Sequence, residues 1–390
     1  MGAVFRTRRP DSGLGNIRRG FADPGRNIDW VLMAAAGALS VIGLFLIFSA
    51  TRPRLISNGL DPYQFVQRQV AFLIFAILVM AAVMWIDYVQ LRGSAQALYA
   101  VTMFLLVMVL VVGGVKGGAR LSFDVGPIAV QPSELAKVTT LLMLAGFLAD
   151  ADSDKVTYER LIQSLFIVGA PAFLVLVEPD LGSASVLVAC AMGVLLVAGA
   201  ELKYIAFITA MGVVSAVAGV LSGVVKTYQL RRITAFLQQN SDSADLQNLV
   251  TQVRFAKRAV ATGGFFGKGY LQGPLTNGRF IPVQSTDFVF SALGEQFGML
   301  GCTVVLGLFA VVLWRIFRIA RMATERLGTF ICAGVFTMIL WQSFQNIGMT
   351  MGITPVSGVP LPFLSYGGSH TVAFAMMLGL VQSVHMRRFR

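Results

Sequence analysis

Two stretches of this chain, VLMAAAGALSVIGLFLIFSA (31–50) and SASVLVACAMGVLLVAGA (183–200), carry no charged residue at all. At about 1.5 Å of rise per residue, helices of this length cross roughly 30 Å of hydrocarbon. Lipid offers the backbone no hydrogen-bond partner, so such segments must be helical, and the short alternating strands of a membrane barrel are not in evidence. Hydrophobic residues make up 56% of the 390 and charged ones only 13%, which excludes an ordinary water-soluble domain.

The same pattern repeats along the chain and predicts an all-α polytopic membrane protein of about ten transmembrane helices: 28–50, 65–87, 94–114, 132–149, 161–177, 183–200, 203–225, 288–316, 328–350 and 367–386. A basic tail, 1–27, precedes a single membrane domain, 28–386, and residues 387–390 close the chain. The first apolar stretch is too long for the core of a cleaved signal and is expected to be retained. Arg6, Arg8, Arg9, Arg18, Arg19 and Arg26 precede it; Arg315, Arg318, Arg321 and Arg326 lie between spans eight and nine; Arg387, Arg388 and Arg390 end the chain. These clusters share one side, so both termini of this multi-pass protein are expected in the cytoplasm. The net charge of +12 is then a topology signal, and nucleic acid is not an expected partner. Cys190, Cys302 and Cys332 sit in apolar segments and read as packing residues, while two histidines, His370 and His385, are too few for a histidine-rich metal site.

One connection is long. Residues 226–287, between helices seven and eight, form an extracytoplasmic loop that carries Arg231, Arg232, Arg254, Lys257, Arg258, Lys268 and Arg279. Long loops escape the charge rule, or else the excess marks a site for an anionic substrate; both readings stand at this level. Residues 249–264 have the spacing of an amphipathic helix expected on the outer membrane surface. GGFFGKG (263–269) ends it, with glycines that let amides approach an anion and Lys268 to add a charge.

Acids next to hydrocarbon are expensive, so each calls for a partner or a job. In QPSELAK, Glu134 and Lys137 are three apart on one helical face and can pair. In VEPDLGSA, Glu178 and Asp180 fall in a tight outer turn, where Asp180 can cap the following helix. Asp287 stands at the outer entry to span eight beside the cationic loop, positioned to reach a polar headgroup. Glu295, eight residues on, is expected to make a buried structural hydrogen bond. Finally, Pro355, Pro360 and Pro362 with Gly352, Gly358, Gly367 and Gly368 forbid a regular helix in 345–371, so an ordered outer segment covered by protein is expected.

QPSELAK, EPDLGSA, GGFFGKG, STDFVFSALGEQFG and ITPVSGVPLPFLSYGGS, in this order, resemble the SEDS family of shape, elongation, division and sporulation proteins, from about span one to span ten. The resemblance implies a ten-helix peptidoglycan glycosyltransferase that polymerises lipid II at the outer face of the membrane, with Asp287 as the catalytic residue. It implies a class B penicillin-binding protein as partner, undecaprenyl diphosphate as leaving group, and an elongation role, with division and sporulation as alternatives. The chain departs from the family pattern at Leu121 and Ser122, after Arg120, and at Val283, Gln284 and Ser285. Joining a GlcNAc hydroxyl to MurNAc C1 needs a base, for which Asp287 is the candidate, and a clamp for the diphosphate, for which Lys268 ranks ahead of Arg231, Arg232 and Arg120. Asp180, Glu134, Lys137, Ser365 and Tyr366 complete the candidate substrate contacts, and Mg or Mn is the cofactor a diphosphate recruits. A lipid II flippase, a noncatalytic scaffold for the penicillin-binding protein and a ligase using another polyprenyl donor are the rival readings.

Overall fold

The computed structural model describes residues 27–116, 119–125, 128–151, 155–221, 227–238 and 247–389. The basic tail, apart from Asn27, and the stretch SDSAD (241–245) of the long loop lie outside them.

Helices dominate, as apolar segments denied water must. They run α1 (Trp30–Ser57), α2 (Gln64–Trp85), α3 (Tyr88–Val112), α4 (Pro132–Ala149), α5 (Tyr158–Val177), α6 (Leu181–Val197) and α7 (Leu202–Leu221). After the long connection come α11 (Val289–Met322), α12 (Arg326–Thr350) and α13 (Gly368–Met386). Among the described residues, seven helices (α1 to α5, α11 and α12) are long and apolar enough to cross a membrane, and α6 is apolar but shorter. α13 is different in kind. It runs through the middle of the protein, against α2 along its length, and buries His370, Gln382, Ser383 and His385. A helix clothed by other helices has no need of a lipid-compatible surface, which is why polar residues survive in it.

At the N-terminal end of α1, Asp29 caps the helix by accepting from the Leu32 amide at 3.0 Å. It also accepts from Arg315 Nε of α11 at 2.8 Å, while its backbone amide and carbonyl pair with Gln382 of α13, each at 3.0 Å. One buried cap thus ties three helices together.

The all-helical expectation needs one correction. Between α3 and α4 the chain forms a small antiparallel sheet, β1 (Gly114–Lys116), β2 (Ala119–Val125) and β3 (Ile128–Val130), in that order. Val115 pairs with Arg120 and Phe123 with Val130. The sequence places Gly117-Gly118 and Gly126-Pro127 at the two reversals, a turn signal between strand-forming residues.

The long connection between α7 and α11 holds three helices among its described residues: α8 (Thr227–Leu237), α9 (Gln247–Gly263) and the single turn α10 (Pro274–Asn277). α9 is amphipathic, yet its apolar stripe does not lie free for lipid. Val253, Ala256 and Ala259 pack with Ile281, Phe288, Met349 and Val356 in a core of their own beneath the outer layer. α11 has 34 residues, about 51 Å, longer than the hydrocarbon is thick. Val289 to Gln296 are enclosed by protein, and large exposed apolar side chains begin only at Met299 and Leu300. Glu295 therefore lies in a part of α11 covered by protein.

Candidate functional site

Asp287 is positioned through its backbone. The carbonyls of Ser285, Thr286 and Asp287 are each held by a different donor: the Tyr366 amide at 2.9 Å, the Ser365 hydroxyl at 2.5 Å and Asn346 Nδ2 at 2.7 Å. Asn346 Nδ2 also donates to the Val359 carbonyl at 2.7 Å, and Ser365 Oγ accepts from the Leu361 amide at 2.8 Å. The proline- and glycine-broken segment 352–367 is thus a bracket for the aspartate loop, and its irregular backbone is satisfied by that loop and by α12.

The side chain of Asp287 is half-buried and faces Arg232 of α8 across Gly358. A Cβ added at Gly358 would stand 3.5 Å from the Arg232 guanidinium and 3.6 Å from Asp287 Oδ2, at a backbone φ of +71°. Burial lifts the Asp287 carboxyl above the usual carboxylate range; the Thr286 hydroxyl and the Arg232 charge pull it down, and Asp180 pushes it up again. Gly358→Ala is expected to combine backbone strain with crowding between acid and guanidinium, lowering turnover about tenfold or more while the unfolding temperature moves little. An activity assay beside a thermal unfolding trace checks this.

Asp180 caps α6, its Oδ1 accepting from the Ser183 amide at 2.9 Å. Oδ2 accepts from Gln131 Nε2 at 3.3 Å, linking it to the start of α4. Three residues past Gln131, Glu134 pairs with Lys137 at 2.7 Å, both buried, and His370 of α13 lies within electrostatic reach. Beside this group a cleft of about 490 Å³ opens among Phe72, Phe75, Leu135 and Val372, with Arg68 and Gln131 on its rim. Tyr366 packs its ring on Phe65 and Phe72, and its hydroxyl meets Arg68. The region therefore offers a carboxylate, two guanidinium groups and an apolar slot.

The candidates read from the sequence divide. Asp287, Arg232 and Asp180 are brought together, and Glu134 with Lys137 stands nearby, joined through Gln131. Arg231 is exposed on α8. Arg120 lies on β2, with its side chain outside the described residues. Ser365 and Tyr366 are not free substrate contacts: Ser365 is fully buried and spends its hydroxyl on the Thr286 carbonyl. Gln131, Asn346 and Arg68 were missed; a polar Asn inside the apolar run of α12 was the available signal.

Lys268 needs the largest correction. Its amide donates to the Glu295 carbonyl and that of Gly269 to Gln296, while Met299 and Leu300 donate back to Gly264 and Phe265, all at 2.9–3.1 Å. GGFFGKG is thus a splint on a break in α11, where Gly298 takes a φ of 62°. A Cβ at Gly267 would overlap the Gln296 carbonyl. The amides proposed to cradle an anion are occupied by helix carbonyls, and Lys268 is exposed, its backbone fixed on Glu295 and not on the loop that carries Asp287.

Glu295 accepts from the amides of Leu275 (2.7 Å) and Thr276 (2.9 Å) and from the Thr276 hydroxyl (2.6 Å), so it caps α10. Gln296 accepts from Ser49 of α1 and the Leu271 amide.

Comparison with known proteins gives one consistent result. The family model of the FtsW, RodA and SpoVE cell cycle proteins matches residues 29–389. Stage V sporulation protein E of Bacillus subtilis is 34% identical over 359 residues, 91% of this chain and 96% of that protein. Peptidoglycan glycosyltransferase MrdB of Escherichia coli is 30% identical over 363 residues, 93% of this chain and 94% of that one. A solved structure of a peptidoglycan synthase complex that coordinates polymerisation and crosslinking contains a chain that superposes with a TM-score of 0.76 at 28% identity, covering 93% of this chain and 99% of its own.

Proposed function

Because this chain belongs to the FtsW, RodA and SpoVE cell cycle family, the SEDS proteins, we infer that it is a peptidoglycan glycosyltransferase of cell wall synthesis with Asp287 as its general base. The observation that carries the assignment of Asp287 is its setting: a carboxyl raised by burial, faced by Arg232, on a loop whose three consecutive carbonyls are held.

In the proposed reaction the 4-hydroxyl of an acceptor GlcNAc attacks C1 of a donor MurNAc. The new C1–O bond forms as the bond to the diphosphate breaks, the hydroxyl proton passes to Asp287, and the diphosphate leaves with the bonding electrons, inverting C1. A raised carboxyl pKa makes Asp287 a better proton acceptor at neutral pH than a solvated carboxylate. Arg232 replaces Lys268 as the residue assigned to the departing diphosphate, being the guanidinium that faces the base. The cleft beside Phe72 and Phe75 suits a polyprenyl chain, and Arg68 at its rim suits the adjoining phosphate. Among the described residues no group of three acids, histidines or cysteines converges on one point; Mg or Mn, which a diphosphate recruits, would be carried in on the substrate.

The multiple apolar helices make this a multi-pass membrane protein. We propose that both termini are cytoplasmic, which sets Asp287 on the outer side. We propose a class B penicillin-binding protein as partner, a pairing supported by the likeness to a synthase complex. We propose a role in cell elongation, with division and sporulation as the alternatives.

The test is polymerisation of fluorescent lipid II by the purified chain with its partner. A ladder of glycan strands digestible by a muramidase is expected. No ladder, with lipid II crossing the bilayer of proteoliposomes instead, would replace this reading by transport.

A further inference from the structure

Glu178 terminates α5 and is 1% exposed, and neither of its carboxylate oxygens meets a hydrogen-bond partner. A negative charge there would lack donors, would stand at the negative end of a helix dipole, and would lie two residues from Asp180. Each circumstance disfavours ionisation. The reaction as written above does not use this acid, yet the turn it belongs to carries Asp180, and Asp180 acts electrostatically on Asp287.

We propose that Glu178 is a positioning residue that works only as an uncharged carboxylic acid. Un-ionised, it lets the 178–180 turn stay packed with Asp180 beside Asp287; ionised, it draws that turn toward solvent and away from the base. The inference rests on the reading of Asp287 as the catalytic residue and adds the condition under which its neighbourhood stays assembled.

Burial, with the Asp180 charge second, pushes the Glu178 pKa up to about 8. Asp180 faces it from the cap of α6; behind Asp180 stand Asp287, from the loop before α11, and Arg232, from α8. The sign follows from linkage. An unfolded glutamate titrates near about 4.3, so between there and about 8 the folded chain holds a proton that the unfolded chain has lost, and stability falls across that window and then levels off.

The experiment compares the wild-type chain in detergent with Glu178→Gln, isosteric and permanently uncharged. Glu178→Met, apolar and of similar length, is the second variant should the glutamine chain fold poorly. The readouts are unfolding temperature from pH 5 to 9 and, with the partner present, lipid II polymerisation from pH 6 to 9. Relative to either variant, the wild type should lose unfolding temperature between pH 5 and 8. Its polymerisation should drop several-fold above pH 8, while Glu178→Gln matches it at pH 7 and keeps its rate into the alkaline range. Parallel unfolding profiles for wild type and variant would overturn the proposal, as would a Glu178→Gln chain of normal unfolding temperature that is inactive at pH 7. If the wild type itself makes no polymer, the reading of Asp287 fails, and the unfolding comparison still decides whether Glu178 is held neutral.

Discussion

Asp287→Asn should lower lipid II polymerisation by about 10²- to 10⁴-fold, the range by which a positioned base accelerates proton transfer. The substitution keeps shape and size but removes the capacity to accept a proton. The backbone clamp by Tyr366, Ser365 and Asn346 does not depend on the side chain, so the loop should stay where it is and the unfolding temperature should hardly change. The pH dependence supplies a second readout. The base must be ionised to act, so the rate should rise with pH along an acid limb lying above the usual carboxylate value of about 3.9. Arg232→Ala removes a charge that favours the ionised form and should move that limb to higher pH as well as weakening the hold on the leaving diphosphate. Product formation from labelled lipid II across pH 5 to 8 measures both effects. Turnover unchanged in Asp287→Asn would take this residue out of the reaction.

The second large effect belongs to stability. Glu295→Ala should cost about 3–5 kcal/mol, because it strips the acceptor from two buried amides and a hydroxyl together. The Thr276 hydroxyl also accepts from Gln284 Nε2 at 3.1 Å, so the loss would spread to the loop that carries Asp287. Glu295→Gln retains one acceptor oxygen and turns an NH₂ group toward the donors, so an intermediate loss is expected. A thermal or denaturant unfolding series in detergent separates the three chains. A Glu295→Ala protein of normal stability without activity would instead move Glu295 from structure to chemistry. The two acids stand eight positions apart in one motif and are expected to fail in different assays.

The helices were readable because hydrocarbon imposes a local rule: an apolar stretch of sufficient length has nowhere else to satisfy its backbone. The covered, broken segment after α12 was readable for a similar reason, since its prolines forbid a helix whatever surrounds them. The sheet between α3 and α4 was overlooked although its turn dipeptides stand in plain sight, because short strands carry weak periodicity beside strong helical signals. GGFFGKG shows the harder limit. Glycines that admit an anion and glycines that admit another backbone look the same in sequence, and here the visitor is a break in α11 some thirty residues further on. Likewise the stripe on α9 is expected from its spacing to meet the membrane surface, but an apolar stripe does not name its partner, and the structure supplies Ile281, Phe288 and Val356.

Local chemistry was enough to place Asp287 at a helix entry, to mark Asp180 as a helix cap and to pair Glu134 with Lys137, because each depends on residues only a few positions apart. Which cation faces the base was decided in three dimensions. Arg232 and Lys268 are equivalent as charges on one loop; only the packing of α8 against the 355–360 segment and of GGFFGKG against α11 separates them. The same holds for Glu178: its sequence neighbours mark a tight turn, and only the surrounding helices bury it without a donor. Electrostatic roles depend on distance and dielectric, and both are properties of the assembled protein.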